Sequence, residues 1–415
     1  MLRRAARLRG GGSALPGLWV EKLEPAFLRE TLGQLEHGVV LISGTNGKTT
    51  TTKMVTELLT AAGLRVFTNK TGSNFTRGVV SALIESMDLE GNLPYDIAVL
   101  ELDEAHAVQF VQQVEPRISL LLNVLRDQLD RFGEIDQTTR LLGKVAEHTT
   151  QAVVLNRDNP LIRRLADKTG DKVDVRYFGA HADLLHLFPS DDQLRVSKSP
   201  KSHSNRTRND IELTAFEDQN VTFRIGQKPY KTHLKITGYY NFLNAAAALA
   251  TVRTVIPKAP IGILLNALDK IKPAFGRGEQ AIYMNEPVEF VLVKNPSGFQ
   301  LALTSVKSKA SHEATMIAVN DNFADGRDMS WLWDVDFASL KGGVHMVSGI
   351  RAYDMALRLQ YDNVPVGTVE ENLAKAFTQF LAENHDRPMR IYCTYTAMLK
   401  LRSLARTILN MERTL

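Results

Sequence analysis

The sequence predicts an α/β protein. A central, doubly wound, mostly parallel sheet of the phosphate-loop type carries a small β insertion and is followed by a smaller, Rossmann-like α/β domain. Strand-like and helix-like segments alternate from residue 38 onward. Most strand candidates hold continuous rather than alternating apolar residues, as strands covered on both faces do. A glycine-rich turn, Gly44-Thr45-Asn46-Gly47-Lys48-Thr49-Thr50, joins the first such strand to the first helical pattern.

In order, strands are expected at 38–43, 64–68, 96–102, 117–123 and 151–155, with helices at 51–62, 76–87, 105–114, 137–147 and 160–168. Residues 180–236 break this rhythm. They are polar, and Ser197 to Asn209 reads as an exposed loop. Short alternating pieces (Ile211 to Phe216, Val221 to Ile225, Thr232 to Ile236) read as a small β insertion. An alanine-rich helix follows from Tyr240 to Val255. Beyond Pro273 and a turn at Gly276–Gly278, a second α/β pattern has strands near 288–293, 314–319, 344–348 and 389–393. Its helices fall near 297–305, 351–360, 370–383 and 396–406.

A chain of 415 residues is too long for one ordinary core. The apolar share of 44% and charged share of 23% are those of a globular protein. A net charge of +4 is small for this length and gives no case for nucleic acid binding. Arg3, Arg4, Arg7 and Arg9 cluster near the start, but Gly10 to Ser13 interrupts any secretory apolar run, so residues 1–37 read as a surface arm. A contact with an anionic membrane is the alternative. No window approaches the ~20 apolar residues of a transmembrane helix. Cys393 is the only cysteine, which excludes an internal disulfide and a cysteine zinc site. His181, His186 and His203 fit no compact metal-ligand spacing and read as solvated.

The turn at residues 44–50 has what a triphosphate cradle needs. Gly44 and Gly47 let the backbone bend so that its N–H groups point at phosphate oxygens, and the next helix offers its positive end. Lys48 adds a full charge, Thr49 brings a hydroxyl to a magnesium ion, and Thr45, Asn46 and Thr50 complete the loop. The longer Walker spacing is not met, since Ile42 stands where its first glycine would be. ATP and Mg2+ are the expected cofactors. Leu100-Glu101-Leu102-Asp103-Glu104 ends a buried strand at the sheet edge where open α/β sheets bind ligands. Glu101 or Glu104 there can hold magnesium, directly or through water. The alternative is an acidic helix start favoured by the helix dipole.

Residues 44–50 resemble the phosphate loop of the Mur ligase family. Tyr240-Asn241-Phe242-Leu243-Asn244-Ala245 is similar to that family's adenine-side helix start, and Gly276-Arg277 to its interdomain arginine. Other segments narrow the resemblance to the family's amidating branch over most of residues 15–406. They are Leu15-Pro16-Gly17, Glu101 to Glu104, Arg126 to Glu134, Lys294-Asn295-Pro296, Asn320 to Asp336 and Thr394 to Leu399. Gln128 replaces the metal-site histidine of the amino-acid-adding ligases, and Val291 and Lys294 replace their aspartate and histidine before Asn-Pro. Many members of the amidating branch carry a four-cysteine zinc ribbon in the central domain. This chain cannot, and no zinc is expected.

The resemblance implies an N-terminal arm (1–37), an ATP-binding central domain (38–280, insertion about 180–236) and a C-terminal domain (281–415). It implies that ATP activates the α-carboxyl of D-glutamate in the lipid II stem peptide as an acyl phosphate, which ammonia converts to D-isoglutamine. Lys48 and Glu101 would serve this step, with Asn241 and Arg277 on the nucleotide. The ammonia would come from a GatD-like glutaminase subunit, whose Cys-His dyad Asp328 would complete; the alternative is that Asp321, Asp325 and Asp328 cap turns. Cys393 lies in an apolar strand-like run and reads as core rather than as a glutaminase nucleophile. The implied place is cytoplasmic, at the inner membrane face where lipid II is presented. Two other readings stay open: an amino-acid-adding ligase of the Mur or folylpolyglutamate type, and a nucleotide-binding regulator without turnover.

Overall fold

The computed structural model describes residues 24, 26–69, 76–125, 135–188, 210–236, 238–271, 277–304 and 313–409, with the backbone alone for 277–280 and 304. The described residues form two compact units. The first holds those up to Leu125, then Ile135–Lys235 and Tyr240–Ile271; the second holds those from Arg277 onward with the short stretch Ile236–Tyr239.

The first unit is built on one nine-stranded sheet. Its strands are β1 (Val39–Ser43), β2 (Val66–Thr68), β3 (Ile97–Glu101), β4 (Ile118–Leu121), β5 (Ala152–Asn156), β6 (Asp174–Ala180), β7 (Ile211–Glu217), β8 (Asn220–Ile225) and β9 (Lys228–His233). They lie in the order β2-β3-β1-β4-β5-β6-β7-β8-β9. Pairing is parallel from β2 through β7 and antiparallel from β7 to β9. From β1 the chain winds to β2 and β3 on one side and then to β4 on the other. The carboxyl end of β1 is therefore a topological switch point, where such sheets bind ligands.

Continuous apolar runs make these strands fully buried. Val39 and Leu41 of β1 join a core with Ala98 and Leu100 of β3 and Val153 and Leu155 of β5. Val40 and Ile42, on the opposite face by the two-residue period, are buried as well. The helices of this unit are α1 (Phe27–Leu32), α2 (Lys48–Ala61), α3 (Thr76–Ser86), α4 (Glu104–Val111), α5 (Ile135–Glu147), α6 (Pro160–Arg163), α7 (Tyr239–Val255) and α8 (Ile261–Lys270). Helix α2 buries Met54, Val55, Leu58 and Leu59. It ends where Gly63 turns left-handed (φ +98) and the Leu64 N–H reaches back to the Leu59 carbonyl. Helix α7 is buried without a break from Asn244 to Val252, so it is an interior helix.

The second unit has a six-stranded sheet in the order β10-β11-β15-β12-β13-β14. The strands are β10 (Arg277–Tyr283), β11 (Glu286–Leu292), β12 (Ala314–Ala318), β13 (Val344–Ser348), β14 (Val366–Glu370) and β15 (Met389–Cys393). Only β10 runs antiparallel to its neighbour. The helices are α9 (Pro296–Thr304), α10 (Ala352–Tyr361), α11 (Leu373–Glu383) and α12 (Tyr395–Ile408). Two cores lie on the two faces. Met316 and Ile391 belong to one with Phe377 and Phe380. Ile317 and Tyr392 belong to the other with Phe299 and Phe337.

Several elements differ from the sequence expectations. The segment read as an arm to residue 37 contains α1, whose Leu28 and Leu32, with Leu35, join the first core. Each such side chain contributes roughly 1.5–3 kcal/mol of burial, more than a solvated arm could retain. Strands β7 to β9, expected as a small β insertion, prolong the main sheet through β6, a strand not expected because its charges (Asp174, Arg176) break the apolar run. A bulge between Arg277 and Glu279, in strand β10, stands where a free turn was expected. Among the described residues no helix is long and apolar enough to cross a membrane.

Candidate nucleotide site

Strand β1 delivers the glycine turn to the switch point. Ser43 anchors its end by donating from Oγ to the Leu102 carbonyl at 2.9 Å. Gly44 (φ +131) passes so close to the segment after β4 that a Cβ there would lie 3.0 Å from the Asn123 nitrogen and oxygen. Asn123 then brackets the loop. Its Oδ1 accepts from the Asn46 N–H at 2.8 Å, its Nδ2 donates to the Asn46 carbonyl at 2.9 Å, and its own carbonyl accepts from the Thr45 N–H at 3.0 Å. The Leu125 N–H donates to Thr45 Oγ1 at 3.1 Å. A loop so clamped presents fixed donors without reorganisation.

Gly47 (φ +88) caps α2 in the left-handed region, and Lys48 and Thr49 open the helix. Lys48 is 7% exposed. Its Nζ donates to the Gly44 carbonyl at 2.6 Å and lies 3.2 Å from Asp103 Oδ1 and 3.9 Å from Glu104 Oε2. Thr49 Oγ1 donates to Glu101 Oε1 at 2.8 Å. Glu101 is fixed in turn by Asn69, which accepts from its N–H and donates to its carbonyl, each at 2.9 Å. From α7, Asn244 reaches the loop: a Cβ on Gly47 would lie 2.6 Å from Asn244 Oδ1. Asn244 Nδ2 donates to Asn241 Oδ1 at 3.3 Å, which places Asn241 beside the same loop.

These residues fit a nucleotide. Two glycines at positive φ bend the loop where a side chain would strike Asn123 or Asn244, a helix N-terminus and a buried lysine supply positive charge, and the buried Thr50 hydroxyl has no hydrogen-bond partner. For magnesium, the structure brings Thr49 and Glu101 together, whereas Glu104 is engaged with Thr45 at 3.4 Å and with Lys48. No cluster of three or more His, Cys, Asp or Glu side chains suited to a metal occurs among the described residues. A hydroxyl and one carboxylate suit magnesium, which keeps several waters and takes phosphate oxygens as its other ligands.

The sequence reading did not assign the bracing roles of Asn69, Asn123 and Asn244. The three-residue spacing of Asn241 and Asn244 on one helix was the available signal for the last. Segment 126–134, with Gln128, lies outside the described residues. The backbone of Arg277 opens β10; its side chain also lies outside them.

In the second unit, Asp328 Oδ1 accepts from the Ser330 N–H at 2.9 Å, at the start of the short 3-10 helix Ser330–Asp334. Asp325 is 3% exposed and accepts from Thr396 N and Thr396 Oγ1 at 2.7 and 2.5 Å, and from Asn322 N at 3.1 Å. It ties the loop after β12 to the start of α12. Cys393 is fully buried, its Sγ 3.7 Å from Met398 Sδ, and burial pushes its thiol well above the usual range. Such a thiol is no nucleophile.

A parallel strand, a left-handed glycine turn bearing a lysine, and a carboxylate on the neighbouring strand define a phosphate-loop nucleotide protein. Residues 42–252 match the Mur ligase middle domain, and residues 292–398 match the MurT ligase C-terminal domain. The MurT subunit of the glutamine-hydrolysing lipid II isoglutaminyl synthase of Staphylococcus aureus is 30% identical over 91% of this chain and 89% of its own length. That of Streptococcus pneumoniae is 29% identical over 95% of this chain and 92% of its own. The chain belongs to the MurT branch of the Mur ligase family. Among solved structures, MurF from Acinetobacter baumannii superposes with a TM-score of 0.70 at 17% identity, over 93% of this chain and 79% of that one. MurF from Thermotoga maritima in complex with ADP gives 0.69 at 15% identity, over 93% and 84%. These two likenesses concern the fold alone.

Proposed function

We infer that this chain is the ATP-dependent synthetase half of a lipid II amidating enzyme, converting the α-carboxyl of D-glutamate in the stem peptide to D-isoglutamine. The observation that carries this reading is the Thr49–Glu101 contact beside the buried Lys48, at the switch point of the first sheet. Lys48 neutralises charge on the phosphoryl group in transfer, and the N–H groups at the start of α2 hold the remaining phosphates. Thr49 and Glu101 would hold Mg2+, which supplies charge neutralisation between phosphate oxygens. Asn241 supports the adenine side, and Arg277 adds positive charge. A carboxylate oxygen of the substrate attacks the γ-phosphorus and ADP leaves; ammonia then attacks the carbonyl carbon and phosphate departs with that oxygen.

Ammonium is no nucleophile, so free NH3 has to be delivered at the acyl phosphate. The buried Cys393 cannot release it from glutamine. A GatD-like glutaminase subunit supplies it, and Asp328 orients the imidazole of that subunit's Cys-His dyad. The chain acts on lipid II at the cytoplasmic face of the membrane.

The test incubates the purified chain with ATP, Mg2+, lipid II and ammonium at high concentration, then reads the stem peptide by mass spectrometry. Amidated peptide is expected, formed at least a hundredfold more slowly by Lys48→Ala. A peptide extended by an amino acid, or ATP binding without turnover under any substrate, would overturn the reading.

A further inference from the structure

Lys48, the charge that the phosphates need, is already engaged by the chain itself. An ammonium has three N–H donors. Around Lys48 Nζ lie the Gly44 carbonyl at 2.6 Å, the Thr45 carbonyl at 3.4 Å, Asp103 Oδ1 at 3.2 Å and Glu104 Oε2 at 3.9 Å. A phosphoryl oxygen therefore has to displace one of these partners before Lys48 can neutralise it.

Most of them are held in place. The Gly44 and Thr45 carbonyls belong to the loop that Asn123 and Leu125 clamp. Glu104 is 4% exposed and accepts from Thr45 Oγ1 at 3.4 Å. Asp103 differs in two ways. Its side chain is 28% exposed, so it has room to move. It is also the N-cap residue of α4, with extended backbone (φ −67, ψ 154) and its carbonyl accepting from the Ala107 N–H at 2.7 Å. From that posture an aspartate side chain ordinarily accepts the N–H of the second or third helical residue, here Ala105 or His106. Asp103 makes no such bond to α4.

Asp103 thus stands between two positive partners, the Lys48 ammonium and the N-terminal end of α4. In the empty site it is turned to Lys48. A triphosphate in the loop reverses that balance, because it competes for the ammonium and repels a second anion beside it.

We propose that Asp103 is a positioning residue for Lys48: it holds the ammonium while the site is empty and releases it to arriving phosphates by turning to cap α4. This rests on the nucleotide binding in the function proposed above. A pairing that holds in about nine-tenths of empty sites lowers the apparent nucleotide affinity about tenfold. The same pairing takes Lys48 back as the nucleotide leaves.

The test is a double-mutant cycle on the whole chain. Binding of a non-hydrolysable ATP analogue with Mg2+ is measured by calorimetry for the unaltered chain, Asp103→Asn, Lys48→Ala and the double variant, with melting temperatures alongside. Expected is about tenfold tighter binding in Asp103→Asn, and a change within about twofold when the same substitution is made on Lys48→Ala. No gain in Asp103→Asn would overturn the proposal. So would an equal gain in both backgrounds, which is what loss of a nearby negative charge produces without any action through Lys48. A second readout follows the carboxylate and needs no Lys48 variant. Amide hydrogen exchange at Ala105 and His106 should slow when the analogue binds the unaltered chain, and should not in Asp103→Ala. Unchanged exchange in the unaltered chain would overturn the turn to α4. A chain that binds no nucleotide would refute the proposed function itself, whereas binding that ignores Asp103 refutes only its hold on Lys48.

Discussion

Gly47→Ala tests the geometry of the phosphate loop at one atom. Gly47 holds φ at +88, where an L side chain costs about 1–2 kcal/mol. The added Cβ would sit 2.6 Å from Asn244 Oδ1 and 3.1 Å from its Nδ2. Asn244 is 7% exposed, so its amide has little room to swing, and moving it gives up the bond to Asn241, about 1 kcal/mol. The sum is a destabilisation of about 2–3 kcal/mol, read as the shift in urea unfolding at constant slope. Re-aiming the loop amides should weaken nucleotide binding at least tenfold, measured by displacement of a fluorescent ADP analogue. Gly63→Ala is the control. Gly63 has φ +98 with nothing within 4 Å of the added atom, so only the backbone cost of about 1–2 kcal/mol applies, and nucleotide affinity stays within twofold. Stability within 0.5 kcal/mol of the unaltered chain and unchanged affinity in Gly47→Ala would refute the reasoning, by the usual scatter of neutral surface changes, about that size.

Three further outcomes follow from the second unit. The native chain should show no thiol reactive with a disulfide reagent and the unfolded chain one; a fast-reacting native thiol would contradict the burial of Cys393. The linked pH effect has a definite sign. The unfolded thiol releases its proton above about pH 8.5 while the folded one keeps it, so stability falls with rising pH there, by at most about 1.4 kcal/mol per unit. Asp328→Asn should lower the ratio of glutamine-driven to ammonium-driven amidation at least tenfold; an unchanged ratio removes Asp328 from the glutaminase chemistry.

The legible parts of this chain are those set by local chemistry. Val39 to Ile42 could only be a covered strand, and Gly44 to Thr49 could only bend and then start a helix. The strand stands as expected, while the helix begins at Lys48, ahead of the expected residue 51, with Thr49 and Glu101 brought together across β1 and β3. What escaped the sequence is set by distant contacts. Asn69, Asn123 and Asn244 are ordinary polar residues until folding lays them against Glu101, Asn46 and Gly47. Strands β6 and β14 are half-exposed and partly charged, so neither a continuous apolar run nor clean alternation announced them. The exposed Tyr353, Leu357 and Tyr361 on α10 have helical spacing, but whether such residues face a core or the outside is decided by the sheet beneath. The opposite stripe, with Met355 and Leu359, won that place.

The most direct measurement follows oxygen. Lipid II whose D-glutamate α-carboxyl carries oxygen-18 is incubated with the chain, ATP, Mg2+ and ammonium, and the released phosphate is analysed. If the residues around Lys48 transfer a phosphoryl group to that carboxyl, one labelled oxygen should appear in phosphate for each amide formed. Amide accompanied by unlabelled phosphate would contradict the account.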